Sequence, residues 1–257
     1  MLSAALGLED ARLISLCGAG GKTTLMFALA REFVARGERV LVTTTTRIAR
    51  AEAAGAGRGK RAAMLLFSGV TPDGRKLTGI APELVDALRR SGEFDRILVE
   101  ADGADRKPLK ASAPHEPVIA SATDALVAVA GLNGLGLPLQ EGNVFRAQIW
   151  AQMTGTRLGS PVDAESIARM AVHAGGFFKG RPPGAKQVLF LNRADTPERR
   201  AAAMRVVKLL ASSRDRTPER VVLGCLLPTP SIDGGAQVLA AESGARNPRQ
   251  LCTPLLD

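Results

Sequence analysis

The chain has 257 residues, 46% of them hydrophobic and 23% charged, with a formal net charge of +9 and a pI near 10.2. That length and apolar content exclude a disordered chain and allow a substantial core. Three widely spaced cysteines, Cys17, Cys225 and Cys252, with no C-x-x-C pair, indicate neither a disulfide framework nor a structural zinc site.

In chain order, the apolar patterning predicts a strand over 12–16, a helix over 24–35, and strands over 39–43 and 63–67. A helix over 82–90 follows, then strands over 96–100 and 125–130, helices near 143–154 and 163–174, a strand over 186–192, a helix over 197–212 and a strand over 220–226. The strand-like runs are rich in Val, Leu and Ile and do not alternate with polar residues, the pattern of strands buried on both faces. The fold class expected is therefore α/β, a mostly parallel sheet sandwiched by helices in a P-loop NTPase-like three-layer arrangement. Without an internal repeat or a convincing linker, residues 1–257 are expected to form one such domain. Its long connections, 47–61 and 102–123, are read as loop insertions that bind or switch.

The first strand runs into Cys17-Gly18-Ala19-Gly20-Gly21-Lys22-Thr23-Thr24, which opens a helix. Strand, glycine-rich loop and helix together make a phosphate-binding loop. Glycines let successive N–H groups turn toward phosphate oxygens, the helix start adds its positive dipole end, Lys22 adds a point charge, and the Thr23 hydroxyl is suited to Mg²⁺. Six residues before Lys22 stands Leu16 rather than glycine, so the loop is a short variant. It is similar to the short loop of Mur-type ligases. Where ATPases related to nitrogenase iron protein carry a signature lysine, this chain has Cys17.

In an open α/β sheet, ligands lie beyond the carboxyl ends of the strands, so the residues just after each apolar run belong to one edge. Behind the second strand stands Thr43-Thr44-Thr45-Thr46, from which Thr45 is a candidate for the metal shell; the competing reading is that β-branched threonines simply extend the strand. Arg96-Ile97-Leu98-Val99-Glu100-Ala101-Asp102-Gly103 has the form of a Walker B strand, with Glu100 or Asp102 holding Mg²⁺ or handling the attacking water. Downstream, Arg106, Lys107, Lys110 and His115 are candidates to meet an anionic substrate, or else belong to a solvated basic loop. Asn192-Arg193-Ala194-Asp195 resembles the guanine-reading Asn-Lys-x-Asp of GTPases. The same stretch also reads as a helix start, with Asp195 as a capping acid before Pro197 and Glu198. Asn143 is read as the N-cap of its helix and Arg146 as an anion contact, and Cys17 as a small buried hydrophobe.

The stretches 18–26 (GAGGKTTLM), 41–48 (LVTTTTRI), 98–111 (LVEADGADRKPLKA) and 115–119 (HEPVI), with LNRAD at 191–195, resemble the YqeC family. The resemblance implies a cytoplasmic, nucleotide-binding P-loop protein that acts in maturing the selenium- and molybdenum-containing cofactor of a hydroxylase. Its partners would be that hydroxylase or its maturation proteins. Phe145 and Arg193 stand where the family usually has histidine and lysine.

The leading expectation is an Mg²⁺-dependent NTPase using ATP or GTP. In it Gly18, Ala19, Gly20, Gly21, Lys22, Thr23, Thr24, Asn192 and Asp195 bind the nucleotide, Lys22, Glu100 and Asp102 serve catalysis, and Thr23, Thr45, Glu100 and Asp102 form the metal set. One alternative transfers a phosphoryl or nucleotidyl group to a small cofactor-related acceptor. Another, of a different class, is a basic nucleic-acid-associated or scaffold protein without turnover. Against it stand the lone Trp150, the absence of tyrosine, and the lack of a helix-turn-helix, RRM or KH signature. With no apolar window approaching a membrane span, no membrane partner is expected.

Overall fold

The computed structural model describes residues 1–49, 63–213, 217–226, 237–241 and 253–254. Arg58, Lys60 and Arg61, a basic cluster within the 47–61 connection, and Cys252 lie outside them. The chain opens with a short helix α1 (Leu2–Ala5), strand β1 (Leu13–Gly18), helix α2 (Lys22–Ala35) and strands β2 (Val40–Thr44), β3 (Arg47–Ala49), β4 (Met64–Leu66), β5 (Gly69–Val70) and β6 (Lys76–Thr78). Helix α3 (Pro82–Ser91), β7 (Arg96–Glu100), β8 (Leu109–Lys110), β9 (Ala125–Gly131), β10 (Val144–Phe145), α4 (Ala147–Thr154) and α5 (Ala164–Val172) follow. The series ends with β11 (Lys186–Asn192), α6 (Pro197–Ser212), β12 (Arg220–Cys225), β13 (Gln237–Ala241) and β14 (Thr253–Pro254).

The main sheet has nine strands in the order β14-β13-β12-β11-β9-β1-β7-β2-β4. From β12 to β4 every neighbouring pair is parallel, while β13 and β14 run antiparallel at one edge. This is the α/β sandwich that the apolar runs predict. Period-two alternation sends Leu126, Ala128 and Ala130 of β9 to one face, against Trp150, Ile167 and Val206 of the α4–α6 layer. Their neighbours Ala125, Val127 and Val129 face the other way, onto the core built on Leu25, Met26, Leu29 and Phe33 of α2. On the first face, beside β1, β2 and β7, α3 closes a smaller cluster of Leu13, Leu41, Ile97, Val99 and Val85.

Two small sheets lie outside this frame. One joins β3, β6 and β5; the other pairs β10 with β8, bringing the middle of the 102–123 connection beside the segment before α4. That pairing displaces the helix start expected at Asn143. Val144 and Phe145 are drawn into strand, Arg146 takes the left-handed conformation (φ 62) as N-cap, and α4 begins at Ala147. Asn143 instead donates from Nδ2 to Pro138 O (2.9 Å). The far end of the 102–123 connection is fastened by Asp86, which accepts from the Ser121 and Ala122 amides. Among the described residues no helix is long and apolar enough to cross a membrane.

Candidate functional site

β1 is central in the sheet, with β7 on one side and β9 on the other, and its carboxyl end delivers the glycine loop to the middle of the ligand edge. Gly20 has φ +83, and a Cβ there would lie 2.5 Å from Gly131 Cα and 2.6 Å from Pro108 O. The loop is thus clamped between the end of β9 and the 102–123 connection, and only glycine fits the clamp. Gly21, the residue before α2, supplies no side-chain cap. The first-turn N–H groups of α2 have no intrahelical acceptor and face the region where a phosphate would sit.

The charged groups around this loop are paired internally. Lys22 is 4% exposed; its Nζ donates to Gly18 O (2.7 Å) and lies 3.3 Å from Asp102 Oδ1 and 3.7 Å from Glu100 Oε1. Burial opposes the ammonium charge, but Asp102 and then Glu100 outweigh it, so the Lys22 pKa is raised. Glu100 Oε2 accepts from Thr23 Oγ1 (2.7 Å). Asp102 is fully buried, and its Oδ2 accepts from Gly18 N (3.1 Å) and pairs with Lys110 Nζ (2.8 Å). Lys110, itself buried, also meets Glu116 (2.8 Å) and Gly103 O (2.7 Å), and Glu116 meets Arg146 (2.6 Å). A continuous chain of alternating charge, Lys22, Asp102, Lys110, Glu116, Arg146, therefore runs from the phosphate loop to the start of α4.

The two Walker B candidates occupy different positions in this chain. Glu100 faces the Thr23 hydroxyl, and a hydroxyl with a carboxylate is an oxygen donor set suited to Mg²⁺ with phosphates and water completing the shell. Asp102 is enclosed between two lysines and a backbone amide. The threonine hydroxyls are committed to the backbone: Thr43 to Leu66 O (2.6 Å), Thr44 to Glu100 O (2.7 Å) and Thr45 to Val118 O (2.6 Å). They tie the end of β2 to β4, to β7 and to the 102–123 connection. Arg106 and His115 are exposed and Lys107 is half-buried, while Asp105 and Arg106 both have positive φ (46 and 56) in the turn after Asp102.

Residues 14–148, which hold the glycine loop, both acids and the whole charge chain, match the family described as YqeC protein. An Escherichia coli (strain K12) relative, "Uncharacterized protein YqeC", is 34% identical over 232 residues, covering 86% of this chain and 90% of its own. The chain belongs to the YqeC family. A solved structure of chloroplast FtsY from Physcomitrella patens is similar at 18% identity and TM-score 0.46, over 84% of this chain; this chain spans 60% of that one.

The remaining corner of the site lies beyond the segment that matches the YqeC family. Asn192, at the end of β11, is fully buried; its Nδ2 donates to Gly20 O (2.8 Å), and its Oδ1 accepts from Arg193 N (2.9 Å) and Leu226 N (2.9 Å). Arg193 is left-handed (φ 65), and Ala194 N donates to Gly224 O (3.0 Å). The capping reading resolves at Thr196, whose side chain accepts from Arg199 N (3.3 Å) with Pro197 first in α6. Asp195 is left at the surface, pairing Oδ1 with Arg199 (2.7 Å).

Sequence reasoning assigned no role to Glu116 and gave Arg146 to an anion rather than to Glu116. Glu116 joins Lys110 to Arg146, two cations 36 residues apart in sequence, and such a link is invisible to any local pattern; the signal available was the lysine inside the apolar run of Leu109-Lys110-Ala111. Cys17 is buried and donates to Phe177 O (3.2 Å), and burial, then Asp102, pushes its thiol pKa up, as befits a small core residue.

Proposed function

We propose that this YqeC-family protein is an Mg²⁺-dependent nucleoside triphosphatase whose cycle serves the maturation of a selenium- and molybdenum-dependent hydroxylase. The observation that carries the enzymatic reading is the Thr23–Glu100 contact of 2.7 Å beside Lys22 in the glycine loop. The hydroxylase role is what the family resemblance implies.

In this proposal the loop amides and Lys22 bind the phosphate oxygens, and Thr23 with Glu100 holds Mg²⁺, which when bound neutralises charge on those oxygens. Hydrolysis forms a bond from water oxygen to the terminal phosphorus and breaks the bond from that phosphorus to its bridging oxygen; the proton that water loses passes to solvent, and negative charge grows on the bridging oxygen. Lys22 and the first-turn N–H groups of α2 face that charge. Asp102 is a positioning residue: it keeps Lys22 ionised and aimed, and Lys110 acts through it. Thr45 fastens β2 against the 102–123 connection. Arg106, Lys107 and His115 would meet an anionic second substrate. The left-handed turn that presents Arg106 immediately after Asp102 supports a second reading, transfer of the group to such an acceptor.

Calorimetric titration with ATP and GTP, with and without Mg²⁺, together with phosphate release, tests this. Lys22→Ala should weaken binding about 10- to 100-fold, the loss of charge-assisted hydrogen bonds to phosphate. Glu100→Gln should abolish the gain in affinity that Mg²⁺ brings. Unchanged binding in Lys22→Ala would end the proposal. Formation of nucleoside diphosphate together with a phosphorylated acceptor, and without free phosphate, on adding a pterin or other small acceptor would establish the second reading.

A further inference from the structure

We infer that the turn 192–195 makes this nucleotide site selective for a guanine base, an inference that rests on the phosphate site proposed above. The direction of the nucleotide follows from the sheet. Glu100 and Thr23 mark the metal and terminal-phosphate end on the β7 side of β1. Ribose and base must then leave toward the other side, over β9, where the carboxyl ends of β11 and β12 close the edge.

The wall they meet is pre-organised. Asn192 is bonded at once to the phosphate loop, to the turn that follows it and to the residue after β12, and Ala194 N is bonded to Gly224 O. A ligand group docking here meets a surface already ordered, so little binding energy is lost to ordering it. Asp195 stands at the tip, 40% exposed by side chain and relieved of helix capping by Thr196.

Its chemistry discriminates between purines. The Arg199 hydrogen bond holds the Asp195 carboxyl below its ordinary range, so at neutral pH it only accepts hydrogen bonds. Arg199 takes one position on Oδ1 and the residue's own N–H takes another, so a carboxylate with about four acceptor positions keeps two for a ligand. Guanine presents two adjacent donors, N1–H and the N2 amino group, to a pair of carboxylate oxygens. Adenine presents a bare N1 beside its amino group, setting lone pair against lone pair. Arg193, left-handed between Asn192 and Asp195, adds to the same turn a planar guanidinium, a group that stacks on purines.

The test is equilibrium binding of Mg·GTP, Mg·ATP, Mg·XTP and magnesium tripolyphosphate to the full chain. GTP should bind at least about 100-fold more tightly than ATP, the low end for two hydrogen bonds to a charged group. Asp195→Asn should lose about 100-fold for GTP and gain affinity for XTP, since xanthine has a carbonyl where guanine has its amino group and a carboxamide donates to it. Thr196→Ala, which weakens the α6 cap, should lower the melting temperature and leave the GTP/ATP ratio unchanged. If tripolyphosphate binds but ATP matches GTP, the base inference falls while the phosphate site stands. A folded Asp195→Asn variant with unaltered GTP affinity also overturns it. If tripolyphosphate, GTP and ATP all fail to bind, both readings fall.

Discussion

Replacing Asp102 with asparagine perturbs the charge chain at its most enclosed point while keeping side-chain shape. The carboxamide can still accept from Gly18 N, but the negative charge shared by Lys22 (3.3 Å) and Lys110 (2.8 Å) is gone. Removing one partner of a buried pair costs about 3–5 kcal/mol, because the charge left behind is uncompensated. Here Lys110 keeps Glu116 and Gly103 O, and Lys22 keeps Glu100 and Gly18 O, which places the cost at the lower end, about 3 kcal/mol. For a chain of this size that is a fall of roughly 6–12 °C in Tm, read by calorimetry at neutral pH and without nucleotide. Adding Lys110→Met removes the cation left with a single carboxylate and leaves Lys22 with Glu100 and Glu116 with Arg146. The double variant should therefore be more stable than the sum of the single losses by about 1 kcal/mol or more. A single variant melting within about 2 °C of wild type, or losses that simply add, would refute the idea that Asp102 holds these lysines together.

Gly20→Ala should destabilise the fold by about 3 kcal/mol and abolish nucleotide binding, because both φ +83 and the backbone of Gly131 and Pro108 resist a Cβ; near-normal melting and titration curves would show the clamp to be looser than described. Acid stability should depend on Glu116. Burial raises its pKa, but hydrogen bonds from Arg146 and Lys110 outweigh burial and hold it below the ordinary carboxylate value. Its contribution is then complete above the unfolded-state pKa and disappears as pH falls through the lower folded value. Tm measured from about pH 6 down to about pH 3 should fall less steeply in Glu116→Gln than in wild type, and parallel curves would contradict the assignment.

How much of this was legible beforehand depends on the range of the interactions. The parallel strands β1, β7, β9, β11 and β12 announce themselves as unbroken apolar runs because both their faces are covered, and the glycine loop is read from its spacing. Glu100 and Asp102, two residues apart on one strand end, look interchangeable in sequence. What separates them is that Thr23 comes to one and Lys110 to the other, and Lys110 arrives through the β8–β10 pairing. That pairing is only two residues long on each strand, too short for a periodic signal, and it also overrides the capping preference of Asn143. Thr196 took the cap from Asp195 because the side chain directly before the first helical residue is the one that reaches the α6 amides.

The bonds of Asn192 have a consequence for when this protein becomes competent. Its partner Gly20 lies 172 residues earlier in the chain, and Leu226 lies 34 residues later. A ribosome that has released the glycine loop and the helix behind it has made the phosphate cradle without the pin that sets its shape. That pin is complete only once β11 and the end of β12 have emerged, so a nascent chain stopped short of residue 192 carries every residue of the cradle yet lacks its final geometry. If the proposed nucleotide site is right, capture of the ligand waits for β11 and the end of β12.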